Sequence, residues 1–152
     1  MCIGSEELVN VFSPGNKVIP QNVFLVGTRS LDDGESDLIT EQQLSVYTMD
    51  TIRDKGMEFV AEDIKNKLRD RKIRNVHFSI DVDSIDPGFA PGTGTRVPEG
   101  LTPDEFKEFV RHMLSANLIK SLDLVELNPD LDTDDITTKL CLSVIDYITS
   151  RL

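Results

Sequence analysis

His77-Phe-Ser-Ile-Asp81-Val-Asp83-Ser-Ile-Asp86-Pro-Gly-Phe-Ala-Pro-Gly-Thr-Gly-Thr95 is an apolar strand that runs straight into three aspartates and then into a loop of glycine, proline and threonine. Side chains two apart on a strand point to the same side, so the spacing predicts that Asp81 and Asp83 bring two carboxylates to one spot at the strand's end. Two such groups repel, which raises the pKa of one of them or recruits a cation. Hard divalent ions such as Mg²⁺ or Mn²⁺ suit an all-oxygen site of this kind.

Outward from this segment, short apolar runs predict strands at Val23 to Val26, Ser45 to Met49, Val76 to Ile80 and Leu122 to Leu127. Three of them are continuous rather than alternating, as expected for strands covered on both faces. Met57, Val60, Ile64 and Leu68 make a stripe at helical spacing, and Phe106, Phe109, Val110, Met113 and Leu114 make another. The second stripe opens with Thr102 as cap, Pro103 at the first helical position and Glu105 to complete a capping box. After the fourth strand, Asn128-Pro129-Asp130 breaks the backbone, and Ile136, Leu140, Val144, Tyr147 and Ile148 predict a closing helix. Strand and helix alternate, which predicts an α/β fold: a three-layer α/β/α arrangement around a mostly parallel sheet. In such sheets ligands bind outside the carboxyl ends of the strands. There the first strand delivers Asp32, Asp33 and Glu35, the third Asp81 and Asp83, and the fourth Glu126.

With 152 residues, the chain is expected to form one domain over 1–152. Its 27 acidic and 16 basic side chains give a net charge of -11, which argues against nucleic acid or an anionic membrane as partner. Cys2 and Cys141 lie far apart without metal-type spacing, so no disulfide framework is expected, and no stretch reaches the length of a membrane span. A cytoplasmic location is the expectation.

Several chemistries use Asp-x-Asp. A calcium-binding EF-hand loop needs glycine at its sixth position and glutamate at its twelfth, where counting from Asp81 gives Asp86 and Gly92. A phosphotransferase of the haloacid dehalogenase type places a nucleophile in such a motif, with Asp134-Asp135 as a late metal pair, although its nucleophile normally lies near the start of the chain. A plain reading has Asp86-Pro87 making a turn while the other carboxylates cap nearby backbone.

Ser79-Ile-Asp81-Val-Asp83-Ser-Ile-Asp86-Pro87, followed by Pro91-Gly-Thr-Gly-Thr95, Gly100-Leu-Thr102 and Val125-Glu126-Leu-Asn128-Pro129, closely resembles the manganese ureohydrolases, the arginase and agmatinase family. The resemblance implies a ureohydrolase fold and a centre of two Mn²⁺ ions, with Asp81 bridging them and Asp83 binding one. Two ions roughly 3.5 to 4 Å apart lower the pKa of a bridging water to give hydroxide near neutral pH. By the same resemblance that hydroxide attacks the guanidinium carbon of L-arginine, yielding urea and ornithine. Glu126 then pairs with the substrate guanidinium as the catalytic and substrate-binding carboxylate, and Thr95 supplies a polar contact. Asp32 and Glu35, in Arg29-Ser-Leu-Asp32-Asp-Gly-Glu35, would hold the α-amino group of the amino acid, which favours arginine over agmatine. On the plain reading, Asp33-Gly34 is a turn and Glu35 starts a helix.

Departures accompany the match. Ser84 stands where glycine is common and Arg96 where proline is, placing a like charge near a cationic substrate. An earlier histidine block and an Asp-Ala-His-x-Asp block, which supply most of the family's metal ligands, do not occur, and His77 and His112 are placed as packing or surface residues. The resemblance therefore implies the carboxyl-terminal half of a family member, truncated on its amino-terminal side. At most weak Mn²⁺ binding is expected, with catalysis dependent on a complementing amino-terminal polypeptide. The other possibility is a non-catalytic remnant that acts by interaction. Family members form trimers or hexamers, and a sheet lacking its early strands is expected to self-associate or take a partner.

Overall fold

The computed structural model describes residues 18–151, in which strands and helices alternate as expected. In chain order they are β1 (Phe24–Thr28), α1 (Asp33–Gln42), β2 (Ser45–Thr48), α2 (Met49–Lys55), α3 (Met57–Asp70), β3 (Val76–Asp81), α4 (Pro103–Leu114), β4 (Ile119–Val125) and α5 (Ile136–Thr149). Cys2 and the turn predicted at Pro14-Gly15 lie outside the described residues. Both ladders are parallel: Phe24 pairs with Ser45 in one, and His77 with Ser121 and Asp81 with Val125 in the other. Each parallel pair needs a crossover between its strands, and the intervening helices provide it.

The described residues build two two-stranded sheets, β1-β2 and β3-β4, rather than one continuous sheet. The expectation that the strands are covered on both faces also fails for β3 and β4. Ile80 is buried and Phe78, Leu122 and Leu124 are half-buried, whereas His77, Ser79, Ser121, Asp123 and Val125 between them are exposed. The open face is polar: His77 Nδ1 lies 2.9 Å from Ser121 Oγ, and its Nε2 lies 3.2 Å from Asp123 Oδ2.

Helices carry the other face. Helix α3 buries Met57, Val60, Ala61, Ile64 and Leu68, and α4 buries Phe106, Phe109, Val110 and Met113, the two stripes read from spacing. The Thr102–Glu105 capping box with Pro103 at the first position sets the start of α4 as predicted. Phe109 packs edge-on against Phe78, with ring centroids 5.9 Å apart, joining α4 to β3. Helix α5 buries Val144 and Ile148 of the expected stripe and packs half-buried Leu140 and Tyr147 against the core; Thr137 and Cys141 join that face, and Ile136 alone of the stripe is exposed, at 44%. At the start of the helix the buried Thr137 hydroxyl accepts a 2.7 Å hydrogen bond from Gly92 N–H. Helix α1 buries no residue fully, so no apolar stripe announces it. Among the described residues, no helix is long and apolar enough to cross a membrane.

Candidate active site

Strand β3 stops at Asp81, and Val82–Ser84 forms a single 3₁₀ turn. Asp81 and Asp83 therefore meet through a turn rather than through strand alternation. Asp83 N–H donates to Asp81 Oδ1 at 3.1 Å, while the Ser84 hydroxyl donates to Asp81 O at 2.6 Å. Burial pushes the Asp81 carboxyl above the usual aspartate range, and the adjacent Asp83 carboxylate pushes it further, against the opposing pull of Asp83 N–H and the more distant Arg29. This is the electrostatic conflict expected from the motif, and a bound cation would relieve it.

The loop from Ile85 to Leu101 is pinned at both ends. Ile85 and Leu101 form an isolated bridge, and the Asp86 carboxylate accepts hydrogen bonds from Gly88, Glu99 and Gly100 N–H. The predicted Asp86-Pro87 turn is present, and Asp86 also closes the far end of the loop. A β-carbon on Gly100 would lie 2.6 Å from Asp86 N, so only glycine lets the two backbone segments approach this closely. Further along, Asn128 N–H donates to Gly92 O at 2.8 Å, and Asp132 accepts from Thr137 and Thr138 N–H at 2.9 and 2.7 Å. The Gly92–Thr95 stretch, which has a plain reading as a flexible loop, is thereby tied to the start of α5. Arg96, the departure that puts a cation near the site, donates to Leu131 O at 2.9 Å.

The remaining candidates lie at the same strand ends. Asp81 pairs with Val125 in the β3-β4 register, so Glu126 comes one residue past that pair at the end of β4, exposed and with φ at +65°. Left-handed backbone is costly for a residue with a β-carbon and collects at functional sites. Asp32 and Glu35 face each other across the start of α1: Glu35 N–H donates to Asp32 Oδ1 at 2.7 Å and Asp32 N–H to Glu35 Oε2 at 3.0 Å. Their cap is the helix start foreseen by the plain reading, and it leaves one oxygen of each carboxylate outside these bonds. Thr95 is exposed, with its N–H on Thr93 Oγ1, and Thr93 is buried. A cavity of about 350 Å³ opens at the ends of β1 and β2, lined by Thr28, Arg29, Leu31, Thr48, Met49, Asp50 and Glu99. Among the described residues, buried Thr28 Oγ1 has no hydrogen-bond partner.

Sequence reading missed Arg29, Asp86 and Asp132 as organisers of this edge. Their partners lie on other segments, and only Asp86, through Asp-Pro-Gly, carried a local signal. As a donor set, Asp81 and Asp83 have the hard oxygen chemistry a divalent ion needs. No group of three or more His, Cys, Asp or Glu among the described residues is placed to hold a metal.

The described strands are parallel, with carboxylates near the carboxyl ends where ligands bind in α/β sheets. The sequence profile of the arginase family matches residues 10–150, and this chain belongs to that family. It is 37% identical over 142 residues to an arginase of Staphylococcus aureus, covering 93% of this chain and 46% of the relative. The crystal structure of the Bacillus subtilis arginase superposes with a TM-score of 0.89 at 38% identity, over 96% of this chain and 51% of the other. An Entamoeba histolytica arginase solved with L-ornithine superposes at a TM-score of 0.80 and 34% identity, over 86% and 44%. The chain thus spans about half the length of the relatives it matches. The ureohydrolase fold is established by these superpositions, and the phosphotransferase reading of Asp81 is set aside.

Proposed function

We propose that this chain carries part of an arginase-type active site, for hydrolysis of the L-arginine guanidino group to urea and ornithine. The observation that carries this reading is the Asp81–Asp83 pair, held together by the turn at the end of β3, with Glu126 one residue past the Asp81–Val125 pair at the end of β4. Asp81 and Asp83 would hold Mn²⁺, which when bound lowers the pKa of water toward neutrality. Glu126 presents an exposed carboxylate to the planar guanidinium, whose paired N–H donors match two carboxylate oxygens. Asp32 and Glu35 keep one oxygen each beyond their capping bonds, and these suit the α-amino group of an amino-acid substrate. Thr95 offers a polar contact from the opposite loop. The L-ornithine in the Entamoeba histolytica relative supports an amino-acid substrate over a decarboxylated one.

Two carboxylates do not complete a dimetal site. We therefore propose that a complementing amino-terminal polypeptide supplies the other ligands. The test measures urea and ornithine with Mn²⁺ and L-arginine or agmatine, for the chain alone and mixed with the amino-terminal half of an arginase-family relative. The expected result is little urea from the chain alone, release on mixing, preference for arginine, and loss in D81N and D83N. Full activity of the chain alone overturns the incomplete site, preference for agmatine overturns the substrate, and activity retained in D83N overturns the metal assignment.

A further inference from the structure

Arg29 sits at the end of β1, half-buried, beside an edge crowded with carboxylates. A guanidinium in that position would ordinarily form an ion pair. Among the described contacts it does otherwise, directing its nitrogens at main-chain carbonyls. Nε donates to Val97 O at 3.1 Å and to Pro98 O at 3.0 Å; Nη1 reaches Gly27 O at 3.4 Å; Nη2 donates to Asp83 O and to Val97 O, both at 2.7 Å. One side chain thus ties together the end of β1, the turn that carries Asp83 and the loop that follows Thr95. Two of these attachments span 54 and 68 residues of sequence.

The arrangement serves an edge meant for cations. Carbonyls absorb the guanidinium donors, so the Asp81 and Asp83 carboxylates are left for a cation, and the planar fork fixes the direction of every bond. We infer that Arg29 is a positioning residue, a clamp that sets the Asp83 turn and the Thr95 loop relative to β1 through its fork rather than through its charge. This rests on the metal-binding reading of Asp81 and Asp83 for its purpose, while the clamp itself rests on the hydrogen bonds alone. Lysine keeps the charge but presents a single ammonium, which cannot bridge carbonyls on three segments.

The experiment compares the full chain with R29K, R29A and, as a control, R71A, whose side chain bonds Gln21 O and lies over the ring of Phe24, the first residue of β1, at the opposite end of that strand from Arg29. Mn²⁺ binding is read from the electron paramagnetic resonance signal of the free aquo ion, and backbone order from amide hydrogen exchange at Ile85, Glu99 and Leu101. Residues that orient ligands typically change metal affinity by about 10- to 100-fold. The expected result is about a tenfold or greater loss of Mn²⁺ affinity in both R29K and R29A, faster exchange at those amides, and wild-type affinity in R71A. Wild-type Mn²⁺ affinity in R29K overturns the fork in favour of charge alone. Unchanged amide exchange in R29A overturns the clamp. If the unaltered chain binds no Mn²⁺ while R29K still frees the amides, the metal reading of Asp81 and Asp83 is overturned and the clamp stands.

Discussion

Glu126 holds a left-handed backbone conformation, with φ at +65°, one residue past the Asp81–Val125 pair of the β3-β4 register. Such a conformation costs a residue with a β-carbon about 1 to 2 kcal/mol, a cost that glycine escapes. Glu126→Gly is therefore expected to leave thermal stability unchanged or raise it, by up to about 1 kcal/mol after the entropy of the freer unfolded chain is counted, while abolishing recognition of the guanidinium. Thermal unfolding beside a urea assay in the complemented system checks both halves; a marked loss of stability would show that the carboxylate supports the fold instead. Asp132 gives a second prediction. Partial burial pushes its carboxyl up, but Thr138 and Thr137 N–H outweigh this and hold it at about 2, below its ordinary 3.8. A folded pKa below the unfolded one means that the stabilisation is full above pH 3.8 and is lost as pH falls toward about 2. Denaturant midpoints of wild type and D132N should differ at pH 6 and converge near pH 2. At this scale the motif aspartates could be read from sequence because their spacing is local. Arg29 and Asp132 could not, because their meaning lies in carbonyls and amides contributed by other segments.

Elements were legible where a stripe or a cap stood in the sequence. Helices α3 and α4 carry both kinds of signal, apolar residues at helical spacing and, for α4, a reciprocal cap. Helix α1 carries only its cap, from the same Asp32 and Glu35 that resemblance assigns to substrate, so one short stretch answers to two physical demands. The α5 stripe holds from Leu140 onward and departs only at Ile136, beside which the polar Thr137 is buried and accepts a hydrogen bond from Gly92 N–H. The loop between β3 and α4 reads as flexible from its glycines, yet Gly100 is there because the backbone of Asp86 occupies the space a side chain would need. Gly100→Ala must displace main chain rather than a side-chain tip. Its expected effect is a loss of about 1 to 3 kcal/mol of stability by chemical denaturation together with weakened Mn²⁺ binding, and a neutral outcome on both counts would show that the loop can move aside.

On the scale of the whole chain, the open face of β3 and β4 departs most from what continuous apolar strands suggest. Val76 to Ile80 and Leu122 to Leu127 are apolar enough to be placed in a sheet, but His77, Ser79, Ser121 and Asp123 give one side a polar surface that alternation would have revealed. Exposed parallel strands invite company. Sedimentation velocity is expected to find the isolated chain in species heavier than a monomer, shrinking in favour of a mixed complex once the complementing polypeptide is added. A sharp monomer boundary at micromolar concentration contradicts this.

The separation of the strands into two ladders also gives them crossovers of different length. Joining β1 to β2 closes a crossover of about twenty residues, whereas β3 must wait through about forty for β4, a delay whose thermodynamic cost is small but whose kinetic cost is not. On a growing polypeptide, the first ladder and its capped helix can exist before Asp81 has been made. Glu126, emerging last of the acidic residues proposed for the site, is then the one whose arrival completes the edge. A nascent chain stalled before it would carry β1 and β2 without the last carboxylate proposed for that edge.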